Sequence, residues 1–321
     1  MNTITQSEVD FISYLQKTDA KANVKPATQW TAELIERLKN PQREKQVLLP
    51  WEKTRGLFNF RQGEVTLWTG QNGHGKSLVT GQVALNLIHQ KQKVCIASFE
   101  MKPITTLQRM ARQFCGTNPY SEAYQGNDGI GTLEGLYQGF NDFSKDGLWL
   151  YDQQGQADAM AIAGMVKYCA IELGMNHVFI DSLMRCVKGE DDYNGQKEFV
   201  GLLCSLALDY GIHIHLVHHT RKPKDESHMP DKHDNKGSGA ITDQVDNVMM
   251  VWRNKVKEEA FKSGKSQAQD EPDAIVFCRK QRNGDDEPSI RLWFHKDSSQ
   301  FLGNNGDQPF VYINESGQWT P

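Results

Sequence analysis

The sequence predicts a mixed α/β fold in which a mainly parallel central sheet is flanked by helices and prolonged by antiparallel strands towards the C-terminus. Two observations carry this expectation. From Glu64 onward, short β-branched or aromatic runs alternate with segments whose apolar residues recur at helical spacing, the pattern of a sheet wrapped by crossover helices. Past Ser238 the runs follow one another more closely, as antiparallel hairpins do.

The 321 residues can bury a full core and suit one large domain with extensions better than two equal domains. Residues 1–50 form a polar leader containing one amphipathic segment, Thr31–Lys39, with Leu34, Ile35 and Leu38 on one helical face. A helix so short is marginal alone, so its stripe must dock on the following domain or on a neighbouring copy. The main domain is expected over 51–303 and a tail over 304–321.

Within the main domain, strands are expected at Glu64–Thr69, Lys93–Phe99, Leu148–Tyr151, His177–Ile180 and Ile212–Val217. Helices are expected at Lys76–Gln90, Pro103–Cys115, Ala157–Leu173 and Gln196–Tyr210, with Gly174 and Gly211 as stops. Right-handed crossovers then set the architecture. The later strands are Val248–Trp252, Ala274–Cys278 and Ser289–Phe294, and the polar segment Asn254–Asp273 reads as mobile. No internal repeat or sustained heptad is present.

Composition narrows the function classes. The 36 Lys+Arg against 40 Asp+Glu give a net charge of -4, so no global basic field advertises nucleic acid, and any such contact must be local. Six cysteines lie scattered in apolar stretches without a C-x-x-C pair, which argues against zinc and against a disulfide framework. The N-terminus lacks the order of a signal peptide and no run of 18 apolar residues occurs, so a cytoplasmic protein without membrane contact is expected.

The chemistry centres on Gly70-Gln71-Asn72-Gly73-His74-Gly75-Lys76-Ser77, which follows a strand and opens a helix. The glycines let backbone N–H groups turn to a phosphate, the helix N-terminus adds partial positive charge, and Lys76 reaches the β- and γ-phosphates. Ser77 offers Mg2+ a hydroxyl; Asp181, ending an apolar strand, offers a carboxylate. Glu100, closing the next strand, suits the base that orients water, although an acid before Pro103 also suits a helix start. Arg253 joins the nucleotide-binding set, and His218–His219 should emerge at the same sheet edge. His213, His215 and His219 share strand parity, yet no cysteine or carboxylate accompanies them within the strand, so a metal site is not expected there.

Six motifs together, in order, resemble the RecA-like motor domain of DnaB-like hexameric replicative helicases, including phage primase-helicases and the mitochondrial Twinkle helicase. They are the Gln71–Ser77 loop, Ser98–Met101, Phe179–Leu183, Val217–Pro223, Lys236–Ala240 and Arg279–Gly284. The resemblance spans roughly residues 50–303, and its most discriminating piece is the basic hairpin near the C-terminus.

The resemblance implies a RecA-like P-loop NTPase that uses ATP or another NTP with Mg2+. It implies a ring, hexameric in these helicases, moving 5′-to-3′ on single-stranded DNA, unwinding duplex and working with a polymerase or primase. By the same resemblance Lys280 and Arg282 enter a neighbour's nucleotide site as finger residues, and His219 senses the γ-phosphate. From the residues alone, Lys280 and Arg282 read instead as a solvated hairpin tip beside Asn283–Gly284.

Loop 220–238 has five Lys/Arg against four Asp/Glu, so resemblance rather than charge marks Arg221, Lys222, Lys224, Lys236 and Gly237 as DNA-contacting. Lys188–Gly195 reads as a solvated surface loop. Relatives commonly carry Glu-Gln or Arg-Gln where this chain has Thr242-Asp243. The segment 31–39 corresponds to a linker helix packed on the adjacent subunit, and the leader is too short for a DnaB-type N-terminal domain. The rival reading is a RecA-like DNA-dependent ATPase that loads or remodels proteins on DNA without unwinding.

Overall fold

A computed structural model describes residues 2–4, 13, 27–39, 46–121, 129–189, 191–219, 239–264 and 270–312. The strands are β1 Asn2–Ile4, β2 Val47–Leu48, β3 Asn59–Phe60, β4 Val65–Thr69, β5 Val94–Ser98, β6 Leu148–Tyr151, β7 His177–Asp181, β8 His213–Val217, β9 Asn247–Arg253, β10 Ala274–Gln281, β11 Ser289–His295 and β12 Gln300–Leu302. The helices are α1 Ala27–Lys39, α2 Lys76–His89, α3 Pro103–Cys115, α4 Gly129–Ser144, α5 Ala159–Ile171, α6 Tyr193–Tyr210, α7 Gly239–Gln244 and α8 Lys255–Lys262.

Ten strands form one sheet in the order β1-β6-β5-β7-β8-β4-β9-β10-β11-β12. From β1 to β9 the pairings are parallel, and from β9 to β12 they are antiparallel. The central strands β4, β5, β7 and β8 are buried at every residue, because helices cover both faces. Alternation along a strand sends Trp68 to one side and Val65 and Leu67 to the other. The first side packs Val79, Val83 and Leu87 of α2 with Phe114 of α3 and Phe140 of α4; the second packs α5 and α6. Each fully buried side chain of that size contributes about 1.5–3 kcal/mol.

Three buried histidines cross the first layer. Trp68 Nε1–H can only donate, so His215 Nδ1 accepts it at 3.2 Å and His215 Nε2–H donates to His177 Nδ1 at 3.1 Å. His213 Nδ1–H donates to Arg61 O at 2.6 Å, leaving Nε2 to accept from Thr66 Oγ1 at 2.8 Å. Burial holds all three imidazoles below their ordinary range, His213 at about 4, so they are neutral core residues.

Several boundaries differ from expectation. β9 is not a hairpin strand on both sides: it lies parallel to β4, with Thr66 opposite Asn247, and turns antiparallel only towards β10. The segment Asn254–Asp273, expected to be mobile, begins with α8, whose first turn is capped by Asn254 Oδ1 accepting from Lys257 N at 3.0 Å. The expected surface loop 188–195 yields to α6 at Tyr193, capped by the Asp192 carboxylate accepting from Gly195 N. α4 has no counterpart among the expected helices, and α1 starts at Ala27 rather than Thr31, because its first turn carries no apolar stripe. In α1, Leu34, Ile35 and Leu38 are exposed. Leader and tail both touch the sheet domain: β1 pairs with β6, and Tyr312 is buried against Phe114 and Phe143. No helix among the described residues is long and apolar enough to cross a membrane.

Candidate nucleotide site

Strand register brings the candidate residues to one edge. Ser98 of β5 lies opposite Asp181 of β7, Asp181 opposite Val217 of β8, and Val217 opposite Trp68 of β4. Four loops therefore leave the carboxyl ends of adjacent strands together: Gly70–Gly75, Phe99–Lys102, the turn after Asp181, and His218–His219.

The glycine loop is shaped by its backbone. Gly70 has φ +145°, and a Cβ there would lie 2.4 Å from Val251 O of β9, so the loop turns against that strand as only glycine permits. Gly75, at φ +86°, opens α2, whose first-turn N–H groups face the cleft. His74 is buried, its Nδ1 accepting from Arg253 N at 3.2 Å, and Arg253 Nη1 donates to Gly73 O at 3.2 Å. Arg253 also pairs with Glu258 of α8, so the loop is braced from β9.

Lys76 Nζ donates to Gly70 O at 2.7 Å and Gln71 O at 2.9 Å. Burial lowers its pKa to about 8 against the opposing pull of Asp181 and Glu100. Ser77 Oγ donates to Asp181 Oδ2 at 2.9 Å. Burial pushes the Asp181 carboxyl up, and the Ser77 hydrogen bond works against that. Glu100 faces the pair: its Oε1 lies 3.3 Å from His219 Nε2 and 3.7 Å from Arg185 Nε. Burial lowers the His219 pKa, with Lys76 adding to the effect, and His218 falls to about 4.

Ligand atoms of Glu100, Asp181 and His219 lie within 4.8 Å of one another. A hydroxyl and a buried carboxylate are hard oxygen donors, and a buried carboxylate that is costly to ionise alone gains most from a cation, so the residues fit Mg2+. His219 thus lies with the two acids, apart from the His213–His215 pair buried in the core.

These groups open into a cleft of about 910 Å³ lined by Asn72, Gly73, Gly75, Lys76, Ser77, Glu100, His219 and Arg253. Arg109 and Arg112 of α3, Arg185 and Tyr120 also line it and were not singled out from the sequence. Their signal was the polar stripe Thr105, Gln108–Arg109, Arg112, spaced for one helical face directly after Glu100. Five cationic side chains then face one carboxylate, Glu100, among the described lining residues, a field suited to a polyphosphate.

Lys280 and Arg282 lie elsewhere. Lys280 Nζ donates to the carbonyls of Thr242, Asp243 and Val245 at 2.8, 2.9 and 2.7 Å. Arg282 Nη1 donates to Asp246 Oδ1 at 2.8 Å, beside the start of β4. The solvated hairpin tip read from the residues alone is therefore replaced by a bonded turn. Arg221, Lys222, Lys224, Lys236 and Gly237 lie outside the described residues.

A mainly parallel sheet with a glycine loop entering a helix at the centre of its carboxyl edge, prolonged by antiparallel strands, is the fold of a RecA-like ATPase domain. The family described as DnaB-like helicase C terminal domain matches residues 52–303, and the chain belongs to that family. A solved ATPase domain of a DnaB-like replicative helicase superposes with a TM-score of 0.70 at 16% identity, covering 88% of this chain and 99% of that one. A second DnaB-like replicative helicase, solved for its interactions with primase, superposes with a TM-score of 0.67 at 15% identity, covering 91% of this chain and 70% of that one. DnaB-like ATPase domains bind nucleotide and Mg2+ in general.

Proposed function

We propose that the chain is the motor of a ring, six copies in its family, that hydrolyses ATP or a related NTP to move 5′-to-3′ along single-stranded DNA and unwind duplex ahead. One observation carries the reading that copies must cooperate. The glycine loop leaves the carboxyl end of β4, whereas Arg282 is held at its amino end through Asp246, which also binds Val65 N. Five residues of strand separate the two by about 16 Å. Lys280 and Arg282 therefore serve a site other than their own chain's, and each site is complete only with a neighbour. The exposed Leu34–Ile35–Leu38 stripe of α1 supports the same reading, since a neighbouring copy supplies the cover it needs.

In the proposed mechanism the loop amides and Lys76 bind the β- and γ-phosphates, and Ser77 and Asp181 hold Mg2+, which neutralises phosphate charge when bound. Glu100 orients the attacking water and accepts its proton; His219, 3.3 Å from it, registers the change and passes it to segment 220–238, where Arg221, Lys222, Lys224, Lys236 and Gly237 grip DNA. The neighbour's Lys280 and Arg282 meet charge developing on the γ-phosphate.

The test uses two variants. Arg282→Ala should abolish DNA-stimulated phosphate release with nucleotide binding kept, and mixing it with Lys76→Ala should restore part of the activity at mixed interfaces. A forked-duplex displacement assay then separates unwinding from the loading of proteins on DNA. Loss of nucleotide binding in Arg282→Ala would remove the assignment.

A further inference from the structure

Four consecutive side chains at the end of β10 are each bolted to the body of the chain. Lys280 donates to three carbonyls around the C-terminal end of α7. Gln281 Nε2 donates to Asp286 O at 2.7 Å and Leu57 O at 3.1 Å. Arg282 donates through Nη1 to Asp246 Oδ1 and through Nη2 to Gln244 O at 3.1 Å and Asp243 O at 3.3 Å. Asn283 Nδ2 donates to Glu64 Oε1 at 2.7 Å. An ordinary hairpin turn needs none of this.

Two buried carboxylates underlie the arrangement. Glu64 is 3% exposed, and its other oxygen accepts from Asn247 Nδ2 at 2.8 Å. Asp246 spends Oδ2 on Val65 N at 2.9 Å and Oδ1 on Arg282, while its own N and O bond Val65 O and Arg282 N. The Asp246 side chain is 12% exposed and that of Arg282 is 49% exposed. The guanidinium is thus fixed from beneath by a charge-assisted bond with half its surface open.

We propose that Asp246 is a positioning residue: it sets the Arg282 guanidinium at the height and angle needed to meet the polyphosphate bound by the neighbouring copy. This rests on the trans reading given above. An arginine side chain left to its rotamers would sample many positions, and catalysis by charge stabilisation depends on groups held ready. The same carboxylate ties the cation to the first residue of β4, so the strand that carries one chain's glycine loop also carries the cation that it lends.

Asp246→Asn isolates the effect. In either orientation an asparagine amide can accept from only one of Val65 N and Arg282 Nη1 and must turn its NH2 on the other; the fully buried Val65 amide has the stronger need of the oxygen. Arg282 then loses its anchor while the fold keeps its strand contact. We expect kcat for DNA-stimulated hydrolysis to fall about 100-fold, the scale of a misplaced catalytic group. KM for nucleotide should stay within about twofold. Asp246→Glu, which keeps the charge on a longer arm, should recover part of kcat; if the asparagine variant does not assemble, the glutamate variant is read in its place.

Mixing locates the defect. Asp246→Asn subunits have intact glycine loops and Lys76→Ala subunits have intact Arg282 mounts, so the mixture should regain hydrolysis, as the Arg282→Ala mixture does. Recovery with Arg282→Ala but not with Asp246→Asn would overturn the positioning role alone. Failure of both mixtures would overturn the trans reading beneath it. Unchanged kcat in Asp246→Asn, or a fall in kcat matched by loss of nucleotide binding, would likewise overturn the role.

Discussion

The buried ammonium of Lys76 makes nucleotide affinity depend on pH in a range where an ordinary lysine would not. Its pKa is lowered from 10.5 to about 8, chiefly by burial, and a bound polyphosphate stabilises the charged form. Only that form is competent, so binding takes up a proton once the free site has begun to lose it. With a pKa of about 8 the protonated fraction falls from roughly 0.9 at pH 7 to roughly 0.1 at pH 9, and Kd should rise about tenfold. At an unshifted 10.5 the same change would alter Kd by only a few per cent, roughly. Calorimetry with a non-hydrolysable nucleotide at pH 7, 8 and 9, in buffers of different ionisation enthalpy, gives both quantities. Uptake of about 0.9 proton per nucleotide at pH 9 is expected. A flat Kd with no proton uptake would refute the assignment of Lys76 as a desolvated phosphate ligand. Lys76→Arg, charged throughout, should bind without the slope.

Three further outcomes follow from the site and the DNA segment. Gly70→Ala places a Cβ 2.4 Å from Val251 O at φ +145° and should cost about 2–3 kcal/mol in denaturant unfolding while removing nucleotide binding; wild-type stability would contradict the close approach. Glu100→Gln keeps the shape beside His219 and removes the base, so single-turnover hydrolysis should fall about 100-fold or more with Kd unchanged, and retained turnover would reassign the base. Replacing Lys222 and Lys224 by alanine should weaken single-stranded DNA binding and reduce the slope of log K against log salt by about 1.4, measured by anisotropy; an unaltered slope would move the DNA contacts elsewhere.

The central strands were legible because a parallel sheet covered on both faces needs continuous apolar runs, and β4, β5, β7 and β8 have no exposed residue. Elements that escape a reading of the sequence each lack such a signature. α4 reads Gly129-Ile-Gly-Thr-Leu-Glu-Gly-Leu-Tyr-Gln-Gly139, whose glycines argue against a helix, yet Leu136, Phe140 and Phe143 recur at helical spacing and are buried. α8 buries no residue, so no stripe exists to find, and its Asn254 cap is the only local mark. β1 and β12, three residues each, are strands by virtue of their neighbours rather than of their own sequence.

The candidate site divides along the same physical line. Gly70 to Ser77 is contiguous, and Glu100 and Asp181 end apolar runs, so the parallel topology alone predicts that they meet. Arg109 and Arg112 project from a helix whose apolar face carries the stronger sequence signal, and only the fold shows that the opposite face borders the cleft. Lys280 and Arg282 show the limit most clearly. Beside Asn283–Gly284 their local chemistry is that of a turn with basic flanks, and every group that changes this reading is remote: Asp246 lies 36 positions away and Glu64, which holds Asn283, lies 219. Two cations side by side at a free turn would repel each other and keep their rotamer entropy. Here the carbonyls around the C-terminal end of α7 and the Asp246 carboxylate supply the compensating negative field, which is what allows a rigid cationic pair at a protein edge. Such a pair is of use only to an anion brought from outside the chain, so the bonding of this turn, more than its composition, is the reason to look for that anion on a neighbouring copy.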